Sequence, residues 1–390
     1  MTVVREDALC RTPPPYEKLL RAARQMFEPD ELERLVPRLR GGPRLAEVNG
    51  QGAAALDPIA ATEAIAYDFL SKGGKYSRPF ITLAAYDALS GTQPARLGNV
   101  DPAPRLSDAV RRAAVSIESF HKASLVHDDI QDGDAFRYGQ PTLHVQHGVA
   151  TAINVGDYLI GLGYRLVGRD MAELGPETAA DILNKLADAH TKLSEGQGAE
   201  LVWRDSRDKR LSPEEALNIY ALKTAPAFEA ALYCGLRLAG PANQYAEPVA
   251  KFAKHLGVAF QIVNDLQDWN GDDFNKLTLG GDVLGGRPTV LWALALQGLA
   301  DAMRIELEQL VAEGKATPAV FGKIRRLFQR AGAFEKAQQL VSEHRLQAER
   351  IAEGLTPEAL RQLAFHLIET VLKQPAAPGR SRRALAVPAR

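Results

Sequence analysis

Apolar residues recur at three- and four-residue spacing along most of the chain from about residue 56 to residue 372, and strand-like alternation is scarce. That period puts apolar side chains on one face of an α-helix. The clearest stretches are 58–70, 108–132, 150–167, 177–193, 213–238, 248–268 and 288–298. Gly- or Pro-bearing breaks such as SKGGKYSRP and TQPARLGNVDPAPRLS separate several of them. Ser212-Pro213-Glu214-Glu215 has the form of a helix start, with a capping Ser and Pro at the first helical position. The pattern predicts an all-α bundle. Residues 1–55 differ: an amphipathic piece over 16–36 leads into a Gly- and Pro-rich run that reads as an N-terminal extension or lid. Residues 56–372 form the main domain, and the Pro/Ala/Arg-rich stretch 373–390 reads as a mobile tail.

Composition narrows the function. With 46% hydrophobic and 24% charged residues in 390, the chain has ample material for a core. Its net charge of −1 gives no electrostatic case for nucleic acid or an anionic surface. An anionic substrate must then be met by local cations or by metal. Cys10 and Cys234 stand far apart, as free thiols in a reducing compartment do. No run of about 18 apolar residues and no apolar signal core are present, so a cytoplasmic chain without a transmembrane segment is expected.

Two acidic clusters carry the chemistry. The first, Asp128-Asp129-Ile130-Gln131-Asp132, closes the helix-patterned stretch 108–132. On that helix His121, Ser124 with Leu125, Asp128 and Asp132 share one stripe. Carboxylates at a helix C-terminus oppose the macrodipole and repel one another unless a cation bridges them. A solvated helix end also fits a lone cluster. Oxygen-only ligands favour Mg²⁺ over Zn²⁺. The second cluster is Asn264-Asp265-Leu266-Gln267-Asp268, followed by Asp272, with Lys276 and Arg287 in a Gly-rich loop beyond it. Three further elements lie between or before them. Gly73-Gly74-Lys75-Tyr76-Ser77-Arg78 is a flexible turn with two cations. Arg137 follows the first cluster and suits bidentate contact with a phosphate. Lys223-Thr224 sits in a segment that reads as buried, where a Lys needs either a carboxylate or a bound anion.

Taken together and in this order, these elements resemble the trans-isoprenyl diphosphate synthases, the polyprenyl synthetase family, and more distantly the class I terpene synthases of the same fold. The resemblance covers roughly residues 60–300. It implies an isoprenoid-synthase-type helical bundle around a central cavity, with 56–372 as the catalytic domain, usually in a homodimer. It implies that Asp128, Asp129, Asp132, Asp265 and Asp268, with Asn264 and Asp272, hold Mg²⁺, three ions in all. It further implies that Arg137, Lys223 and Gln261 surround the allylic prenyl diphosphate and its metals, that Lys75, Arg78 and His121 hold isopentenyl diphosphate, and that Thr224, Lys276 and Arg287 are also substrate-binding. The implied mechanism is ionisation of the allylic diphosphate and attack on the cation by the isopentenyl double bond. Ala123 and Ser124, five and four residues before the first aspartate, are small, which implies a deep cavity and a product of C20 or longer unless a bulky residue closes it elsewhere.

Three positions depart from the family pattern. Tyr138 stands where a second Arg is usual, Asn264 where Asp is usual, and Arg287 where Lys is usual. Losing one charge-assisted phosphate contact costs about 1.5–3 kcal/mol. On the sequence alone, Tyr138→Arg is therefore expected to lower the Michaelis constant for isopentenyl diphosphate. Asn264, Asp268 and Asp272 are also spaced like the metal triad of class I terpene synthases. That leaves a second reading open, in which the chain ionises or cyclises a prenyl diphosphate without isopentenyl diphosphate. A catalytically weak partner of another synthase is a third. A protein that only binds would have eroded the aspartates, and they are intact.

Overall fold

The computed structural model describes residues 14–47, 57–91, 106–269, 283, 286–314 and 317–373. Its helices are α1 (Pro14–Gln25), α2 (Pro29–Leu35), α3 (Pro58–Ser71), α4 (Ser77–Ser90), α5 (Asp108–Asp132), α6 (Leu143–His147), α7 (Val149–Gly168) and α8 (Met171–Leu174). They continue with α9 (Pro176–Asp205), α10 (Pro213–Ala239), α11 (Asn243–Asp268), α12 (Val290–Gly298), α13 (Asp301–Ala312), α14 (Pro318–Arg330), α15 (Ala333–Glu353) and α16 (Glu358–Val371). Among the described residues the only sheet is a hairpin of β1 (Phe136–Arg137) and β2 (Gln140–Pro141). The expected all-α bundle is thus the fold.

Local chemistry sets the helix ends that matter. The Ser107 side chain caps α5 at Val110 N, and Gly133, at φ 69°, stops it directly after Asp132. Ser212 and Glu215 form a reciprocal capping box at the start of α10. α10 then runs through the middle of the bundle, packed on α4, α9 and α11, while α5 packs on α7 and α11 on α15. Two glycines bring α10 close to its neighbours. A Cβ on Gly196 of α9 would lie 2.8 Å from Lys223 N, and one on Gly257 of α11 would lie 2.9 Å from Ala225 N. A smaller apolar core around Trp269, Trp292 and Phe328 joins α11, α12, α14 and α15.

Three boundaries differ from the periodicity reading. α9 continues twelve residues past 193, and Gly196 within that extension serves close packing against α10 instead of ending the helix. α11 begins at Asn243, five residues before Pro248, which lies one turn and a half inside the helix. The amphipathic piece over 16–36 is two helices, α1 and α2, whose Leu19, Met26, Phe27, Leu32 and Leu35 are buried in the main core. Buried Glu63 of α3 accepts hydrogen bonds from Leu39 N (2.7 Å), Arg40 N (2.9 Å) and Tyr158 Oη (2.8 Å). Residues 14–40 are therefore built into the bundle. The rest of the expected lid, from 48 to 55, and the tail beyond 373 lie outside the described residues.

No helix of the described residues is long and apolar enough to cross a membrane. Cys234 is buried in α10, and burial pushes its thiol up to about 12; Cys10 lies outside the described residues.

A pH dependence of stability follows from the α11–α15 contact. His255 Nδ1 and His344 Nδ1 face each other at 3.0 Å. Burial, then the proximity of His255 and Lys254, pushes His344 down to about 4. The folded state therefore prefers the neutral ring. Its stabilisation is complete above the ordinary His range near 6.5 and is lost as pH falls from there through about 4. The expected cost is at most ~1 kcal/mol per pH unit, since the ring is only partly enclosed. Thermal unfolding between pH 7 and 4 checks this: His344→Gln should flatten the dependence, and an unchanged slope would exclude the pair as its source.

Candidate active site

The first cluster rests on how α5 is fixed. Ser116 and Ser119 donate to Gly163 O (2.6 Å) and Leu159 O (2.7 Å) of α7, so α5 cannot slide. Its last turn presents three carboxylates in different surroundings. Burial pushes Asp128 up to about 6; the charge of Lys223 opposes that rise and Asp132 adds to it. Asp129 is 2% exposed and accepts from Arg137 Nε at 2.6 Å, with a second close contact from Arg137 Nη2. The hairpin makes that pair possible: Tyr138 (φ 52°) and Gly139 (φ 73°) reverse the chain and return Arg137 to α5. Asp132 meets Arg204 of α9 at 3.1 Å and Arg287 of the loop before α12 at 2.7 Å. Arg204 also donates to Gln131 O at 2.9 Å, satisfying one of the last carbonyls of α5.

α10 links this cluster to the second. Lys223 Nζ lies 2.5 Å from Glu200 of α9, which is the carboxylate partner that the sequence left open, and its charge reaches Asp128. One residue on, Thr224 Oγ1 accepts from Gln261 Nε2 of α11 at 2.7 Å, and Gln261 Oε1 is 3.5 Å from Asn264 Nδ2. One turn earlier, Tyr220 donates to Asp265 in a short contact, while Val290 N donates to the same hydroxyl at 2.8 Å. Asp265 and Asp268 are both buried. Asp272 and Lys276 lie outside the described residues.

The basic turn closes another side. Lys75 is exposed, while the Arg78 Nε atom is enclosed. Burial, then the charges of Arg78, Lys122 and Arg137, drives His121 well below its ordinary range. Ala123 is buried; Ser124 is exposed and its Oγ turns back to His121 O at 2.8 Å.

The structure therefore brings Asp128, Asp132, Lys223 and Arg287 into one neighbourhood, and Thr224, Gln261, Asn264 and Asp265 into an adjoining one. Sequence reasoning missed Glu200, Arg204, Tyr220, Glu118 and Lys122. One signal was available: Glu118 and Lys122, four apart, interrupt the apolar run of α5. Among the described residues no three of the carboxylates close on one point. A hard cation here would fill its shell with water and phosphate oxygens, which suits Mg²⁺. All-oxygen donors, with arginines and a lysine around them, can bind a divalent cation and a diphosphate together.

The polyprenyl synthetase family model matches residues 60–327 of the chain. The short chain isoprenyl diphosphate synthase of Methanothermobacter thermautotrophicus is 29% identical over 305 residues, covering 77% of this chain and 87% of its own. The all-trans-nonaprenyl-diphosphate synthase (geranyl-diphosphate specific) of Rhodobacter capsulatus is 28% identical, covering 80% and 89%. Among solved structures, geranylgeranyl pyrophosphate synthase from Corynebacterium glutamicum, complexed with isoprenyl diphosphate and magnesium, superposes with a TM-score of 0.73 at 23% identity, covering 94% of this chain and all of that one.

Proposed function

The chain belongs to the polyprenyl synthetase family, and from that premise we propose that it condenses an allylic prenyl diphosphate with isopentenyl diphosphate to give a prenyl diphosphate of C20 or longer. Trans-prenyl transfer with a divalent metal is the chemistry that the family and its metal-bound relative support. The observation that carries the reading is the place of α10 between the clusters: Tyr220 bonds Asp265 of the second, Thr224 bonds Gln261 beside it, and Lys223, paired with Glu200, brings its charge to Asp128 of the first.

In this reading Arg137, Lys223, Arg204 and Arg287 face the allylic diphosphate and take up charge as its C–O bond breaks. Lys75, Arg78 and His121 hold the second diphosphate, with Lys276 beside the first. The isopentenyl double bond then forms the new C–C bond, and the proton lost from the adjacent carbon goes to the departed diphosphate. The apolar helix faces keep water from the cation. Mg²⁺, three ions held by Asp128, Asp129, Asp132, Asn264, Asp265, Asp268 and Asp272, would supply Lewis-acid stabilisation of the leaving group. A homodimer belongs to the proposal. Exposed Val149 and Ile153, four residues apart on α7, support such a contact.

Chain length is set below Ala123 and Ser124. One turn beneath Ser124, the half-buried Phe120 ring packs against Gly163 and stacks edge-on with Tyr164 (4.7 Å) and His190 (5.8 Å). It lies about 12 Å along α5 from Asp128. We expect Phe120→Ala to lengthen the product by at least one isoprene unit; an unchanged product would place the floor elsewhere.

The main test incubates the protein with Mg²⁺ and farnesyl or geranylgeranyl diphosphate, with and without isopentenyl diphosphate. Elongated diphosphates formed only with isopentenyl diphosphate support the proposal. Hydrocarbons or alcohols formed without it would instead establish the terpene-synthase reading, to which Asn264 and Tyr138 lend themselves. Silence in both would favour a partner subunit.

A further inference from the structure

Lys122 and Glu118 of α5 are both enclosed, at 0% and 2% exposure. Two charges inside an apolar helix face are expensive unless each finds a partner. Lys122 Nζ finds its partners in backbone: Lys72 O at 2.5 Å and Gly73 O at 3.0 Å. Two rings flank it, Phe69 with its centroid at 5.0 Å and Tyr138 at 4.8 Å.

The turn so gripped needs gripping. Gly73 (φ 68°), Gly74 (φ 106°) and Tyr76 (φ 51°) all have left-handed backbone. Tyr76 is held by stacking on Phe27 at 4.6 Å. The Tyr138 ring lies so close over Gly73 that a Cβ there would collide with it. At Gly74 a Cβ would stand 3.5 Å from Tyr138 Oη, 3.8 Å from Glu118 Oε1 and 3.9 Å from Lys122 Nζ. Two polar atoms behind the turn, Glu118 Oε2 and Arg78 Nε, are enclosed and without a hydrogen-bond partner. The turn is thus held from both sides, next to buried polar atoms without a partner.

We propose that Lys122 and Tyr138 form a seat for the 72–76 turn, and that this seat, in place of a second arginine after Arg137, fixes Lys75 and Arg78 for the non-allylic diphosphate. The proposal rests on the prenyltransferase reading above. Lys122 is a positioning residue: its ammonium is committed to two carbonyls and acts on substrate through the turn. This reverses the expectation for Tyr138→Arg drawn from sequence alone. A guanidinium at that position would crowd the Lys122 ammonium and remove the ring that covers it.

The test is steady-state kinetics with isopentenyl diphosphate varied at saturating allylic substrate, beside amide hydrogen exchange of the substrate-free protein. Lys122→Met should raise KM for isopentenyl diphosphate about tenfold or more, leave kcat within about threefold, and speed exchange at 72–76. Lys122→Arg should recover most of the loss. The double variant Glu118→Gln, Lys122→Met removes the stranded carboxylate and keeps the measurement possible if the single variant folds poorly. Tyr138→Arg should raise KM in the wild-type background and lower it in the Lys122→Met background. An unchanged KM and unchanged exchange in folded Lys122→Met would overturn the proposal, as would a Tyr138→Arg effect of the same sign in both backgrounds. A wild-type protein that forms no elongated product would overturn the prenyltransferase reading instead, and the exchange rates would still decide whether Lys122 seats the turn.

Discussion

Asp128→Asn is expected to lower turnover by about 10²–10³-fold and, in metal-free buffer, to raise the unfolding midpoint by a few degrees. The two effects share one cause. Asp128 is pushed up to about 6, first by burial and then by Asp132 and Glu200, against the pull of Lys223 and Arg137. A carboxyl raised in the folded state stabilises the fold below its unfolded range near 3.8, and that contribution is lost as pH rises through about 6. Near pH 7 the protein therefore holds an ionised group at a cost of ~2 kcal/mol in the absence of a cation. Asn keeps the shape and removes the charge, so the metal-free fold gains. The reaction loses, because an amide oxygen holds a divalent cation less strongly than a carboxylate does and removes one of the charges that keep it beside the departing diphosphate. Calorimetry in chelator and steady-state turnover in excess Mg²⁺ measure both. A lowered midpoint would make Asp128 a structural carboxylate, and intact turnover would remove it from the site.

How much of this was legible in the sequence depends on the distance over which each contact forms. α5 was legible to its last residue, because Ser107, Gly133 and the apolar period are all local. So was the start of α10, where the Ser212 and Glu215 box lies within four residues. The acidic clusters, Arg137 and Lys223 were legible by residue type. Their partners were not. Glu200 and Arg204 lie beyond 193, where the apolar period ends, in an extension of α9 that packs against α10 through Gly196. The Asp132–Arg204 pair spans 72 residues and the Tyr220–Asp265 contact 45, so no local pattern points to either. The hairpin that returns Arg137 to Asp129 is only two residues per strand, too short to show a period. Lys122 was visible as a charge in an apolar run, but its function comes from the carbonyls of a turn 50 residues away. Local signals fix the elements, and the chemistry is read where elements meet.

The Lys223–Glu200 pair admits a decisive experiment on that point. Lys223→Met is expected to lower kcat/KM by about 10²-fold and to destabilise the protein by about 2–4 kcal/mol. The second figure follows from burial: the side chains keep 21% and 8% exposure at a separation of 2.5 Å, so removing the cation strands Glu200 in a poorly solvated place. Adding Glu200→Gln should restore most of the stability, since replacing both members of a buried pair is often nearly neutral. Activity should not return with it. If Lys223 served only to neutralise Glu200, the double variant would recover turnover along with stability. If its ammonium also opposes the charge on Asp128 and on the leaving diphosphate, that second duty is lost in both variants. Thermal unfolding and kcat/KM for the single and double variants therefore separate the two duties. Full recovery of turnover in the double variant would reduce Lys223 to a structural partner. Stability restored without turnover would place it among the groups that draw the diphosphate away.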